Sequence, residues 1–222
     1  VSGCTIDSDN DGVPDNIDID LDNDGISNCT ESYGNQNLIV DNTTSSGQIQ
    51  VGNYNNSFQV TTEVLGINAS PTPVTFDNNS QIFLESLEGF DSETAIQYNF
   101  ANPTSVELTY IDANTPGNFL LNPNTEYVIQ VPVNKTLTIA NPNDQLLIDT
   151  DYDGVFESGV TQYSSFEIRF RLNSTTPLTA GTGTFSFHTY LTNSLTFTHK
   201  NLSDSTNNKA TFSIIATCLP KD

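Results

Sequence analysis

The chain has 222 residues, and its 27 Asp and Glu residues against six Lys and Arg give a formal net charge of −21. This length is enough to bury a hydrophobic core, either as one domain or as a small module joined to a larger one. Nucleic acid binding is excluded by the charge, because phosphate recognition needs a basic surface. Insertion into a membrane is excluded as well, because no apolar run approaches the roughly 20 residues that span a bilayer.

Acidic side chains are concentrated between positions 7 and 31, where there are nine acids and no Lys or Arg. They form two consecutive loops with oxygen ligands at positions 1, 3, 5, 7, 9 and 12, the spacing that wraps a calcium ion. Gly12 and Gly25 occupy the sixth position, where the chain turns sharply. The predicted ligands are Asp7, Asp9, Asp11, Val13 through its carbonyl, Asp15 and Asp18 in the first loop, and Asp20, Asp22, Asp24, Ile26 through its carbonyl, Asn28 and Glu31 in the second.

The two loops leave no room for the flanking helices of an EF-hand, because only Ile19 separates Asp18 from Asp20. The segment resembles the calcium repeats of thrombospondin type 3, and in particular the acidic repeats of large secreted surface proteins of gliding and other Bacteroidetes. That resemblance implies export by type IX secretion and a role in surface adhesion, in some cases in gliding motility. The alternative is a solvated, disordered acidic linker.

Calcium at millimolar concentration occurs outside cells, so the loops favour an extracellular or cell-surface location. Cys4 and Cys29 bracket the two loops, and a disulfide between them would add about 3 kcal/mol of stability. A bridge from Cys29 to Cys218 and free thiols are the alternatives. The abrupt start of the chain is typical of a piece of a longer protein with neighbouring domains.

The composition changes near residue 33 to Asn, Thr, Ser and alternating apolar residues, which predicts a calcium-binding segment over 1–32 and a β-domain over 33–222. Short strands at this spacing predict an all-β, antiparallel sandwich of the jelly-roll or immunoglobulin type. One short helical turn is predicted near 83–90. The strands are predicted at 46–54, 58–64, 72–76, 81–87, 95–100, 105–111, 127–133, 136–140, 146–149, 165–172, 184–192, 195–200 and 210–217.

A third copy of the acidic loop follows the strand predicted at 146–149. It has Gly154 at the sixth position, but its twelfth position is Val160, which has no carboxylate. An ordinary Asp/Gly-rich hairpin turn is the alternative here. The predicted ligands are Asp149, Asp151, Asp153, Val155 through its carbonyl and Glu157. The chain as a whole therefore predicts two to three calcium ions.

Catalytic signatures are weak, and the chain is predicted not to be an enzyme. His188 and His199 are the only histidines, and neither has zinc-ligand spacing. Three functions remain: a calcium-stabilised module of a surface adhesin, a carbohydrate-binding module and a passive spacer. The expected partner is a surface glycan or another extracellular ligand. In the third loop, structural clamping is favoured over direct bridging of a ligand by the ion.

Overall fold

The computed structural model describes residues 36–37, 48–50, 60–67, 69–76, 81–110, 121–178 and 185–217. Within these ranges every regular element is a β-strand, all pairings between strands are antiparallel, and no helix is long and apolar enough to cross a membrane. The all-β, antiparallel prediction is confirmed. The two N-terminal calcium loops and the three cysteines lie outside the described residues.

The described strands number thirteen. They are β1 (Gln36–Asn37), β2 (Gln48–Gln50), β3 (Val60–Ile67), β4 (Ala69–Phe76), β5 (Gln81–Ser86), β6 (Glu93–Tyr110), β7 (Thr125–Gln130), β8 (Leu137–Ala140), β9 (Leu146–Asp149), β10 (Gln162–Ser165), β11 (Glu167–Leu172), β12 (Ser186–Asn201) and β13 (Asn208–Ala216).

The strands form two faces of a sandwich that share two long strands. The front sheet runs β2-β3-β6-β12-β7-β11-β9. The back sheet runs β4-β5-β13-β6-β12-β8-β10, with β1 also paired to β13. Strands β6 and β12 belong to both sheets because each is long enough to leave one sheet and enter the other.

Both long strands change sheet at an irregularity in their mutual pairing. The register of β12 against β6 shifts between Thr189 and Ser194, and Leu191 has a φ of 46°. The sequence predicts each long strand as two separate strands, at 95–100 and 105–111 for β6 and at 184–192 and 195–200 for β12, and that division is wrong. Pro103 lies within β6 at the same level and has no backbone N–H to pair, so the sequence there is typical of a turn.

Aromatic rings from the two sheets meet in the core. Phe197 of the front sheet contacts Phe212 of the back sheet edge to face, with ring centroids 4.5 Å apart. Phe170 of the front sheet lies 4.9 Å from Phe187 of the back sheet, and Tyr127 stacks on Phe170 at 5.0 Å. Burial of each such side chain stabilises the fold by about 1.5–3 kcal/mol. These rings hold the two sheets face to face.

The alternation of apolar and polar residues predicts the core face of β11 and β12, with two exceptions. Phe166 is exposed because it lies at the bend between β10 and β11, and Tyr190 is exposed because it lies at the register shift of β12. The predicted helical turn at 83–90 is wrong, since β5 continues to Ser86 and only a short turn follows. Strand β10 was not predicted, because its residues are polar and largely exposed.

One histidine is buried between the sheets. His199 is fully buried, its Nδ1 hydrogen bonds the hydroxyl of Ser86 across the sandwich at 2.8 Å, and its ring meets Tyr127 edge to face. Burial lowers the pKa of His199 to about 3, because the imidazolium form cannot be solvated there. The ring is therefore neutral in the folded protein.

We predict that Phe212→Ala lowers the free energy of unfolding by about 3–5 kcal/mol, because it leaves a cavity where the two sheets touch. Phe90→Ala is the matched control, since Phe90 is 65% exposed, and its effect should stay within about 0.5 kcal/mol. Urea denaturation measures both. Equal losses in the two variants would contradict the assignment of the core.

We also predict that His199 makes stability fall as the pH drops from about 6.5 towards 3. Between these values the unfolded chain binds a proton that the folded protein does not. The free energy of unfolding therefore falls by up to about 1.4 kcal/mol for each unit by which the pH is lowered. His199→Gln should flatten the dependence of the unfolding free energy on pH by that slope. A pH dependence that is unaltered by His199→Gln would refute the prediction.

Candidate metal centre

The third acidic loop, residues 149–157, leaves the edge of the front sheet. Asp149 is the last residue of β9, which pairs with β11. Ile148 and Glu157 exchange two backbone hydrogen bonds of 3.0 and 2.9 Å, which close the base of the loop. The loop is thus a tight hairpin-like excursion, and it needs no flanking helix.

Three carboxylates converge inside this loop. Asp149, Asp151 and Asp153 each offer an oxygen atom within 4.8 Å of the others, so the group could hold a metal ion. We call these three residues the Asp triad. Carboxylate oxygens are hard ligands, which suit calcium or magnesium better than zinc or copper.

Each member of the Asp triad is oriented by a backbone amide of the same loop. The amide of Gly154 donates to Oδ2 of Asp149 at 3.2 Å, that of Asp153 to Oδ1 of Asp151 at 3.3 Å, and that of Val155 to Oδ1 of Asp153 at 2.7 Å. One oxygen of each carboxylate is therefore held by the chain, and the other remains for a cation.

The backbone conformation of the loop explains its glycine. Gly154 has a φ of 88° and Tyr152 a φ of 62°, both in the left-handed region. No atom lies within 4 Å of a Cβ built on Gly154, so its requirement is conformational and not a matter of space. The sequence predicts this role for Gly154, while the strained Tyr152 was not foreseen.

The buried end of the Asp triad lacks a partner. Asp149 is fully buried, and its Oδ1 has no hydrogen-bond partner among the described residues. A buried, unpaired carboxylate oxygen is costly, and such atoms in native proteins usually have a hydrogen bond or a metal ion. A cation bound to Asp149 would satisfy this oxygen, so the donor set fits a metal ion.

Glu157, predicted as a ligand at the ninth position, has a different contact in the structure. Its Oε2 accepts hydrogen bonds from the backbone amide of Thr150 at 3.0 Å and from the Thr150 hydroxyl at 3.1 Å. Glu157 is not part of the group of converging carboxylates. Val155 is exposed, and Val160 is partly buried, with its carbonyl accepting from the side chain of Asn141 at 2.9 Å. The other twelve predicted ligands lie in the N-terminal region, outside the described residues.

Two tyrosines attach the loop to both sheets. The hydroxyl of Tyr152 donates to the carbonyl of Glu167 at 2.8 Å and also contacts the hydroxyl of Ser165. The hydroxyl of Tyr163, on β10, donates to the carbonyl of Thr150 at 2.9 Å. Burial, followed by the hydrogen bond with Tyr152, raises the pKa of Tyr163. The loop is thus tied to β11 of the front sheet and to β10 of the back sheet.

The aromatic side chains of the loop also cover two arginines of β11. The guanidinium of Arg169 lies 5.5 Å from the ring centroid of Tyr152, and that of Arg171 lies 4.1 Å from the ring of Phe156. Glu167 accepts a hydrogen bond from Arg169 and raises its pKa, so Arg169 stays a cation. These contacts pack the loop against two arginines, each of which is paired with a glutamate of the front sheet.

Asn141 supports the site and was missed by the sequence analysis. Its buried side chain donates to the carbonyls of Leu146 and Val160 at 3.0 and 2.9 Å. It accepts from the amides of Gln145 and Leu146 at 3.0 and 3.2 Å. It therefore joins the start of β9 to the segment that leaves the loop. The turn sequence from Asn141 to Asp144 was the available signal, because Asn in a turn often bonds nearby backbone amides.

The histidines do not form a second candidate centre. On the outer face of the back sheet, Nε2 of His188 lies 2.8 Å from the hydroxyl of Ser186, and its Nδ1 lies 3.9 Å from Glu107. A hydroxyl, an imidazole and a carboxylate in the order Ser186, His188 and Glu107 resemble a catalytic triad. However, β12 pairs here with both β6 and β8, so its amides are committed to the sheet and cannot stabilise an oxyanion.

Comparison with known proteins gives limited similarity. No family model matches the sequence, and no curated protein matches it. The coconut allergen cocosin is similar over 62% of this chain and 30% of its own, with 9% identity and a TM-score of 0.24. A family 11 carbohydrate-binding module from Clostridium thermocellum, in complex with a β-1,3-1,4-mixed-linked tetrasaccharide, is similar over 86% of this chain and all of its own, with 9% identity and a TM-score of 0.18. Neither likeness supports an inference about function.

We predict that Asn141→Ala lowers the free energy of unfolding by about 1–3 kcal/mol, because it leaves buried backbone groups without partners. Asn143→Ala is the matched control, since Asn143 is exposed in the same turn and should change stability by no more than about 0.5 kcal/mol. Thermal and urea unfolding measure the difference. Similar stabilities for the two variants would show that Asn141 does not brace the loop.

Proposed function

We propose that the chain is a calcium-stabilised module of a large secreted cell-surface adhesin and that calcium acts in it as a structural clamp. The observation that carries this proposal is the buried, unpartnered Oδ1 of Asp149 within the Asp triad. Binding of a cation would satisfy this buried oxygen, so it would stabilise the folded protein.

Calcium is the ion that best suits the Asp triad. All of its donors are carboxylates, and two of them, Asp151 and Asp153, are exposed to solvent. Calcium accepts six to eight oxygen ligands in irregular arrangements, whereas magnesium requires near-octahedral geometry and keeps its waters. The loop spacing predicted from the sequence supports the same ion.

The position of the loop defines what the clamp does. It follows β9, the edge strand of the front sheet, and leads to β10, the edge strand of the back sheet. An ion bound to Asp149 would hold the loop against both sheets, together with the hydroxyls of Tyr152 and Tyr163. It would also cover an edge strand that could otherwise pair with another chain.

The N-terminal acidic repeats extend the proposal. Two further calcium ions at positions 7–31 would offset about four of the nine negative charges in a segment that has no Lys or Arg. Extracellular calcium would keep such sites filled, which supports a location at the cell surface as part of the proposal. The resemblance to thrombospondin type 3 repeats of Bacteroidetes surface proteins supports adhesion, including gliding motility, as the role. No catalytic role is proposed, and a carbohydrate-binding module and a passive spacer are the competing functions.

We predict that calcium added to the EDTA-treated protein raises its melting temperature and that part of this gain requires Asp149. For a site with a Kd of about 0.1–1 mM, calcium at roughly 100 times the Kd adds about 2.7 kcal/mol of stability. Asp149→Asn should lose this share and keep only the part due to the N-terminal loops. In EDTA the same variant should be at least as stable as the parent protein, because the substitution replaces a buried carboxylate, whose Oδ1 has no hydrogen-bond partner among the described residues, by a neutral amide.

Asp204→Asn serves as the matched control, because Asp204 is an exposed aspartate outside the loop, and magnesium serves as the control ion. Calorimetry and calcium titration provide the readouts. The clamp proposal fails if Asp149→Asn and Asp204→Asn gain the same stability from calcium.

A further inference from the structure

The Asp triad offers fewer ligands than a calcium ion needs. Each of its carboxylates has one oxygen held by a backbone amide, which leaves one oxygen apiece for the ion. The carbonyl of Val155, predicted from the loop pattern, would bring the total to four. Because calcium takes six to eight oxygen ligands, about two or more positions are left for other oxygens.

The two side chains that could complete the shell do not do so. Glu157 lies outside the converging group, and its Oε2 is occupied by the amide and hydroxyl of Thr150. The twelfth position, which carries a bidentate Glu in a complete loop, is Val160. The remaining positions therefore belong to molecules from the solvent.

These positions would lie on the exposed side of the Asp triad. Asp149 closes the buried side of the triad, whereas Asp151 and Asp153 are exposed. Two apolar side chains of the same loop are also accessible, with Val155 60% and Tyr152 38% exposed. A ligand that reached the ion would thus meet both a metal with free positions and a small apolar surface.

Building on the calcium clamp proposed above, we propose that the ion held by Asp149, Asp151 and Asp153 coordinates two adjacent hydroxyl groups of a neutral sugar. Adjacent hydroxyls supply two neutral oxygens at neighbouring positions, which fits within the two or more positions that the loop leaves open. The C–H face of the sugar ring would then contact Tyr152 or Val155, as apolar and aromatic side chains do in ligand sites.

Charge selects a neutral ligand over an anionic one. Three carboxylates and one calcium ion leave the centre with a formal charge of −1, and the whole chain carries −21. The two arginines that contact the loop, Arg169 and Arg171, are already paired with Glu167 and Glu126. A carboxylate or phosphate ligand would therefore be repelled, whereas hydroxyl groups carry no such penalty.

The test counts the solvent positions directly with terbium, which replaces calcium and is excited through nearby tyrosine. The full chain with Asp11→Asn and Asp24→Asn is used, so that emission comes from the third loop. Emission lifetimes in H₂O and D₂O give the number of bound waters, and we expect about two or more. The same chain with Asp153→Asn in addition should lose the signal.

Methyl glycosides of mannose, galactose, fucose and glucose are then added, with 1,3-propanediol as the control that has no adjacent hydroxyls. We expect at least one glycoside to displace about two waters and to lengthen the lifetime, while the diol does not. A centre without bound water, or with water that no glycoside displaces, would overturn the sugar proposal. The rise in melting temperature on adding calcium to the same variant shows separately whether the ion stabilises the fold.

Discussion

The pairing of β6 with β12 is the constraint on which the rest of the structure depends. The two strands pair in the front sheet through residues 93–99 and 194–200, and again in the back sheet through residues 104–109 and 186–192. Four other described strands pair directly with one of them, namely β3, β7, β8 and β13. The remaining seven, β1, β2, β4, β5, β9, β10 and β11, attach through a neighbouring strand. The irregular stretch between the two halves lets one strand pair serve both faces of the sandwich.

This arrangement places the aromatic core and the metal centre at defined positions. Because both sheets share β6 and β12, their inner faces are brought together, and Phe197 and Phe212 meet across the gap. The same closure leaves β9 and β10 as edge strands, one in each sheet. The segment that connects them must cross from one sheet to the other, and it is here that the Asp triad lies.

Buried asparagine side chains hold several turns of the sandwich together by hydrogen bonding the backbone. Asn141 ties the start of β9 to the exit of the loop with four hydrogen bonds. Asn201 lies at the end of β12, and its side-chain amide donates hydrogen bonds to the carbonyls of Leu87 and Thr206. An Asn-rich composition, which suggests flexible loops, here supplies buried amides that satisfy the backbone.

The sequence by itself determined the all-β class, most strand positions and the spacing of the acidic loop, because alternation and Gly154 are local signals. Only the tertiary structure decided that β6 and β12 are continuous, since Pro103 marks a turn unless strands on both sides are already paired. It also decided which acids converge. Glu157 has the predicted spacing but accepts hydrogen bonds from Thr150, and Asp149 becomes buried with an Oδ1 that has no hydrogen-bond partner among the described residues. Spacing along the chain fixes which oxygens can approach an ion, whereas burial and hydrogen bonding depend on strands that are distant in sequence.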